Sequence, residues 1–273
     1  MRAQALVDDI DGVLAALDAI VADGVRRSSR VGYFAAMYRK VTAKVKQGIT
    51  EGFFDDAQRM ERLDVSFANR YLVALEQYQR GRRPTRSWRT AFEAAERSSP
   101  ILLQHLLLGI NAHINLDLGI VAAEVAPADH LGGLRRDFDR INEILASMIE
   151  QVQREVGGIS PWLGLLDVLG GRSDEEVVRF SVEVARTEAW RFATELAALA
   201  RDDWGGPIGA RDARVSRLAR VVLRPGPLTL GLWVIRARES NDVVRNIEVL
   251  SRVEPPDLAT VDQRVRQERA PDR

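Results

Sequence analysis

Ile101-Leu-Leu-Gln-His-Leu-Leu-Leu-Gly-Ile-Asn-Ala-His-Ile-Asn-Leu-Asp-Leu-Gly119 decides the fold. It is apolar nearly all round a helix, yet it carries two of the chain's three histidines, with an aspartate and three amides. Such groups are seldom buried without partners. A lipid-facing span tolerates few of them. The stretch therefore reads as the buried central helix of a soluble protein, over about residues 100–125, and no transmembrane segment is expected.

Helical periodicity continues on both sides. Leu6, Ile10, Val13, Leu14, Leu17 and Ile20 mark a helix over residues 3–22, and Tyr33, Met37, Val41 and Val45 mark a second over 30–46. Met60, Leu63, Phe67, Ala68, Tyr71, Leu72 and Leu75 stripe a third, Asp55–Gln79. A short helix at 87–97 leads to Ser98-Ser-Pro100, a serine cap followed by proline. Further helices are expected at 134–156, after Ser160-Pro-Trp162, from a Ser173-Asp-Glu-Glu176 cap to Asp203, over 211–223 and from Ser240 to about Leu250. Trp204-Gly-Gly-Pro207 is expected to close the helix before it, and the apolar run 228–235 fits helix or strand. The fold class is all-α: one multi-helix domain, residues 1–253, around the central helix, with a polar tail at 254–273.

Composition excludes several functions. Lys+Arg and Asp+Glu both total 39, so there is no basic excess for nucleic acid. There is no cysteine, hence no disulfide, thiolate site or cysteine nucleophile. The N-terminus lacks a signal-peptide pattern, and a cytoplasmic location is expected. Phosphate loops, dinucleotide fingerprints, the Gly-x-Ser-x-Gly elbow, His-Glu-x-x-His and Glu-x-x-His are all missing.

At 100° per residue the polar groups of the central helix fall into two stripes. Gln104, Asn111 and Asn115 form one, suited to tying neighbouring helices together or to lining a pocket with Tyr71. His105, Gly109, His113 and Asp117 form the other. His113 and Asp117 can converge on one ion or water, whereas His105 lies about 12 Å along the axis. Gly109 opens space between them, giving a groove with His105 at one end as acid/base and the His113/Asp117 pair at the other.

Asp64 and Asp137 sit on apolar faces of their helices and could complete a nitrogen/oxygen set with His113 and Asp117, suited to zinc, iron or manganese. Glu61 is a weaker candidate, and Asp139 points away. The bland counterpart is a hydrogen-bonded His–Asp pair, with Asp64 held by Arg70. Arg238-Glu-Ser-Asn-Asp242 could set an anion near a helix start, though such runs are commonly caps. Arg211, Arg214, Arg217, Arg220 and Arg224 read as a solvated basic face; a membrane surface is the other use.

Three runs, Gly32-Tyr-Phe-Ala-Ala-Met-Tyr38, Phe54-Asp-Asp-Ala-Gln-Arg-Met-Glu-Arg-Leu-Asp-Val-Ser-Phe-Ala-Asn-Arg-Tyr71 and Gln104–Gly119, resemble a bacterial family, domain of unknown function family 5995, over about residues 25–250. The resemblance implies no substrate and no cofactor. Two functions follow from the residues themselves. One is a metal-dependent hydrolase or oxygenase acting on a small molecule. The other is a non-enzymatic helical ligand-binding or interaction module whose buried polar groups are structural.

Overall fold

The computed structural model describes residues 6–126, 130–141, 144, 182–226 and 235–252. The expected helix after Ser160, the Ser173 cap, the 228–234 run, the distal half of the 134–156 helix and the tail lie outside them. Among the described residues every regular element is helical.

The first helix, α1 (Ile10–Arg27), starts later than its apolar pattern because Asp9 caps it, accepting from the Gly12 amide at 2.7 Å. Leu6, part of the expected stripe, stays exposed. Ser28, at φ 50°, ends α1 and turns the chain into α2 (Val31–Thr50). The two helices cross at Gly24 and Gly32, where a Cβ on Gly24 would lie 2.9 Å from the Gly32 Cα. Asp56 caps α3 (Ala57–Gln79) through the Arg59 amide.

The next helix, α4 (Arg86–Ala95), has no cap of its own. Asp212, far along the chain, accepts from the Arg86 and Ser87 amides and the Ser87 hydroxyl. The central helix is built likewise. It runs as α5 (Leu102–Ala112), a π-helical segment His113–Leu118, and α6 (Gly119–Val125). The serine cap expected at Ser98-Ser-Pro100 is not used. Gln104 accepts from the Ile101 amide, and Glu239 accepts from the Leu102 amide at 2.9 and 3.1 Å.

Residues 131–141 form a further helix, followed among the described residues by α7 (Val182–Ala197), a 3-10 turn at Arg201–Trp204, α8 (Gly205–Leu223), a turn at 235–238 and α9 (Val243–Arg252). Gly205 and Gly206 open α8 where the sequence suggested a stop. Pro207 fits because a first-turn proline has no intrahelical donor to lose. Asp242 caps α9 through the Arg245 amide, two residues after the expected Ser240.

The central helix is the hub. It contacts α2, α3, α4, α7 and α8, and α9 closes over α1 and α2. Its 24 residues are long and apolar enough to cross a membrane, but 94% of its most apolar window is buried inside the protein. Tyr71, Trp88, Phe138, Met60, Leu106 and Leu116 are among the largest side chains fully enclosed in the core.

Candidate functional site

The ionisable stripe does not form one groove. A ring lies where a gap was expected: Phe34 of α2 fills the space left by Gly109, and a Cβ there would approach its Cδ2 to 2.4 Å. Phe34 separates the two histidines into two environments.

The inner one is built on the π segment. Wider hydrogen-bond registration in a π turn shifts the side chains that follow, and such turns recur at functional positions. Asp117 accepts from Arg70 Nε at 2.6 Å, from the Trp88 indole at 2.7 Å and lies 3.3 Å from His113 Nδ1. Three elements, α3, α4 and the π segment, thus meet on one carboxylate. The His113 ring lies flat on Phe67, with centroids 3.5 Å apart, and meets Tyr38 edge-on at 4.7 Å and Phe34 at 5.8 Å.

Burial depresses the His113 pKa, and the Arg70 charge adds to this, outweighing the pull of Asp117. Burial alone would raise Asp117, but Arg70 and His113 together hold it below the ordinary carboxylate range. The site is therefore a charged Asp117–Arg70 pair beside a neutral imidazole. Its Nδ1–H donates to Asp117, and Nε2 has no hydrogen-bond partner among the described residues.

Asp64 is buried on the neighbouring turn of α3, with Oδ2 unpartnered among the described residues. Burial, with Glu61 adding to it, lifts its pKa to about 7. The expected Asp64–Arg70 pairing is not made. Arg70 serves Asp117, and Asn69 exchanges hydrogen bonds with the Val7 main chain. Asp64 and Asp117 both act on the buried Tyr38 hydroxyl, which burial pushes well above its ordinary pKa. Tyr71 packs 6.3 Å from His113 and 5.1 Å from Trp88, its hydroxyl unpartnered among the described residues.

The four-residue metal set is not assembled. Asp137 is committed elsewhere: its oxygens accept from the Asp55 and Asp56 amides and Arg59, at 2.7, 3.1 and 3.0 Å, fastening residues 131–141 to the start of α3. Among the described residues no three His, Asp or Glu side chains are grouped to hold an ion. Asp139 pairs with Arg135, and His130 is exposed.

The outer environment surrounds His105. A space of about 10 Å³ there, room for one water, is lined by Arg30, Tyr33, His105, Arg236, Glu239 and Asn246 among others. Burial first, then the Arg30 and Arg236 charges, push the His105 pKa down to about 3. Glu239, within the Arg238–Asp242 run read as an anion site, is itself the anion at the start of α5.

The amide stripe joins helices. Gln104 donates to the Val222 carbonyl at 2.6 Å, Asn111 to the Val215 carbonyl at 3.0 Å, and Asn115 to Asn111 at 3.0 Å. Arg211 donates to the Asn115 carbonyl at 2.8 Å, inside the π segment. Asn115 also borders a cleft of about 530 Å³ between α7 and α8, lined by Val184, Glu188, Arg211, Arg214, Val215, Arg217, Leu218 and Val221. Part of the expected basic face is thus the wall of a cavity.

Sequence reasoning missed Trp88, Asp212 and Glu239. Trp88 sits on the most one-sided face of α4, a signal that its indole would turn inward. Asp212 follows Arg211 and Glu239 follows Arg238, with nothing in the sequence to point to partners more than a hundred residues away.

A family model, Family of unknown function (DUF5995), matches residues 10–225. No curated protein and no solved structure matches the chain.

Proposed function

The chain belongs to the DUF5995 family of unknown function, and from that premise we propose that it is a non-enzymatic, helical small-molecule-binding protein whose buried histidine network is architectural. The observation that carries this reading is the saturation of Asp117 by Arg70, Trp88 and His113. A carboxylate holding three donors has little capacity left for an ion. The imidazole beside it is covered by Phe67 on one face. The Asn115 cleft opens against the central helix, and its volume falls in the range of small-molecule sites.

Metal analysis joined to mutagenesis tests it. Purified protein should carry no stoichiometric zinc, iron or manganese. Arg70→Met should lower stability to urea by about 3–5 kcal/mol, because it strands a buried charge. Bound metal that disappears in a folded His113→Gln variant would overturn the reading.

One observation favours an acid–base reading instead: an Asp-oriented, neutral imidazole with a free Nε2 resembles the base of a hydrolytic dyad. Hydrolysis of a broad ester and amide panel, abolished by His113→Gln with the melting temperature unchanged, would select it.

A further inference from the structure

We propose that the α7–α8 cleft is the binding site for an amphiphilic organic anion, a carboxylate or sulfonate on an apolar body. The proposal rests on the reading of the protein as a small-molecule binder and names the ligand's chemistry.

The cleft is polarised across the face of α8. Its floor is neutralised: Arg211 is buried, donates to the Asn115 carbonyl and pairs with Glu188 at 3.2 Å, so neither partner is free for a ligand. Arg214 and Arg217 line the same space, are exposed, and have no ion pair among the described residues. Three residues apart on one helix, their guanidiniums can close on one acidic group.

Beside them runs an apolar row. Val215, Leu218 and Val221 continue along α8, and Val184 faces them from α7. From Val215 to Val221 this row rises about 9 Å. That length suits a medium alkyl chain or a fused aromatic pair lying along α8, with its acid turned to the arginines beside it. An inorganic anion would leave the apolar wall wet, and a neutral lipid would leave two arginines without a counter-charge. The head supplies orientation and the body supplies area removed from water.

The probe is 8-anilinonaphthalene-1-sulfonate, followed by fluorescence titration of the full chain, with decanoate, 1-decanol and sulfate as competitors. One site per chain is expected, displaced by decanoate at concentrations at least tenfold below those needed for 1-decanol, and not displaced by sulfate. Arg214→Ala/Arg217→Ala should weaken probe and decanoate at least tenfold, with the melting temperature unchanged because both side chains are exposed. Leu218→Ser should weaken the probe with the arginines intact.

Equal binding by the double variant, equal competition by decanol, or the lack of a saturable site would each overturn the assignment. Metal in the wild type together with a saturable, arginine-dependent site would overturn the architectural reading of His113 and support the cleft assignment, so the two fail separately.

Discussion

Two buried titratable residues, Asp64 and His105, make opposite contributions to stability as pH changes. Asp64 holds its proton in the folded state up to about pH 7, whereas the unfolded carboxyl loses it near pH 4. Between those values the folded state binds more protons, so stability falls as pH rises and levels off above 7. Asp64→Asn should therefore gain on the wild type from pH 4 to pH 8, by at most about 4 kcal/mol. His105 has the reverse sign. Its folded pKa is about 3 and its unfolded value near 6.5, so the unfolded chain binds the extra proton between them. Stability rises with pH across that window, and His105→Gln should flatten the acid limb. Urea melts at pH 4, 6 and 8 on both variants check this; curves parallel to wild type would contradict the burial assigned to either group. The sequence showed that these residues were unusual, because each stands in an apolar stripe. It could not show their partners. Arg70 lies six residues after Asp64, but in the fold it turns to Asp117.

Among the elements, two central-helix glycines make the helix a tight-packing surface. Helix propensity alone would favour alanine over glycine by about 1 kcal/mol. Gly109→Ala instead drives a Cβ to 2.4 Å from the Phe34 ring, and Gly119→Ala drives one to 2.7 Å from the Ala189 carbonyl oxygen. Both should destabilise by about 1–3 kcal/mol. The obstacles differ: Phe34 is a side chain and the Ala189 oxygen is main chain. Phe34→Leu should therefore recover part of the Gly109→Ala loss and none of the Gly119→Ala loss, measured as midpoint shifts in thermal melts. A Gly109→Ala protein as stable as wild type would mean that Phe34 does not fill that notch. Helix positions were legible here because a 3.6-residue period is local. The starts of α4 and α5 were not, since Asp212 and Glu239 supply those caps from distant segments. The π segment was equally hidden: nothing in the order of His113–Leu118 announces the changed registration that sends Asp117 toward Trp88 and Asn115 toward α8.

Across the whole molecule, the family match ends at residue 225, but the packed structure does not. Glu239 holds the start of the central helix, Asn246 donates to the Tyr33 hydroxyl at 3.3 Å, and Ile247 presses against the Gly24–Gly32 crossing. A fully buried Ile247 thus seals the place where α1 and α2 come closest. Ile247→Ala should cost about 2–5 kcal/mol, the range for truncating a buried isoleucine. Because α9 and the central helix contribute to one continuous apolar cluster, the loss should be global. Tryptophan fluorescence, to which the buried Trp88 and Trp204 contribute, should then shift its midpoint together with far-UV circular dichroism. If the helical signal moved and the tryptophan signal did not, α9 would be an independently unfolding appendage, and the 243–252 helix would not belong to the cooperative core that carries the histidine network.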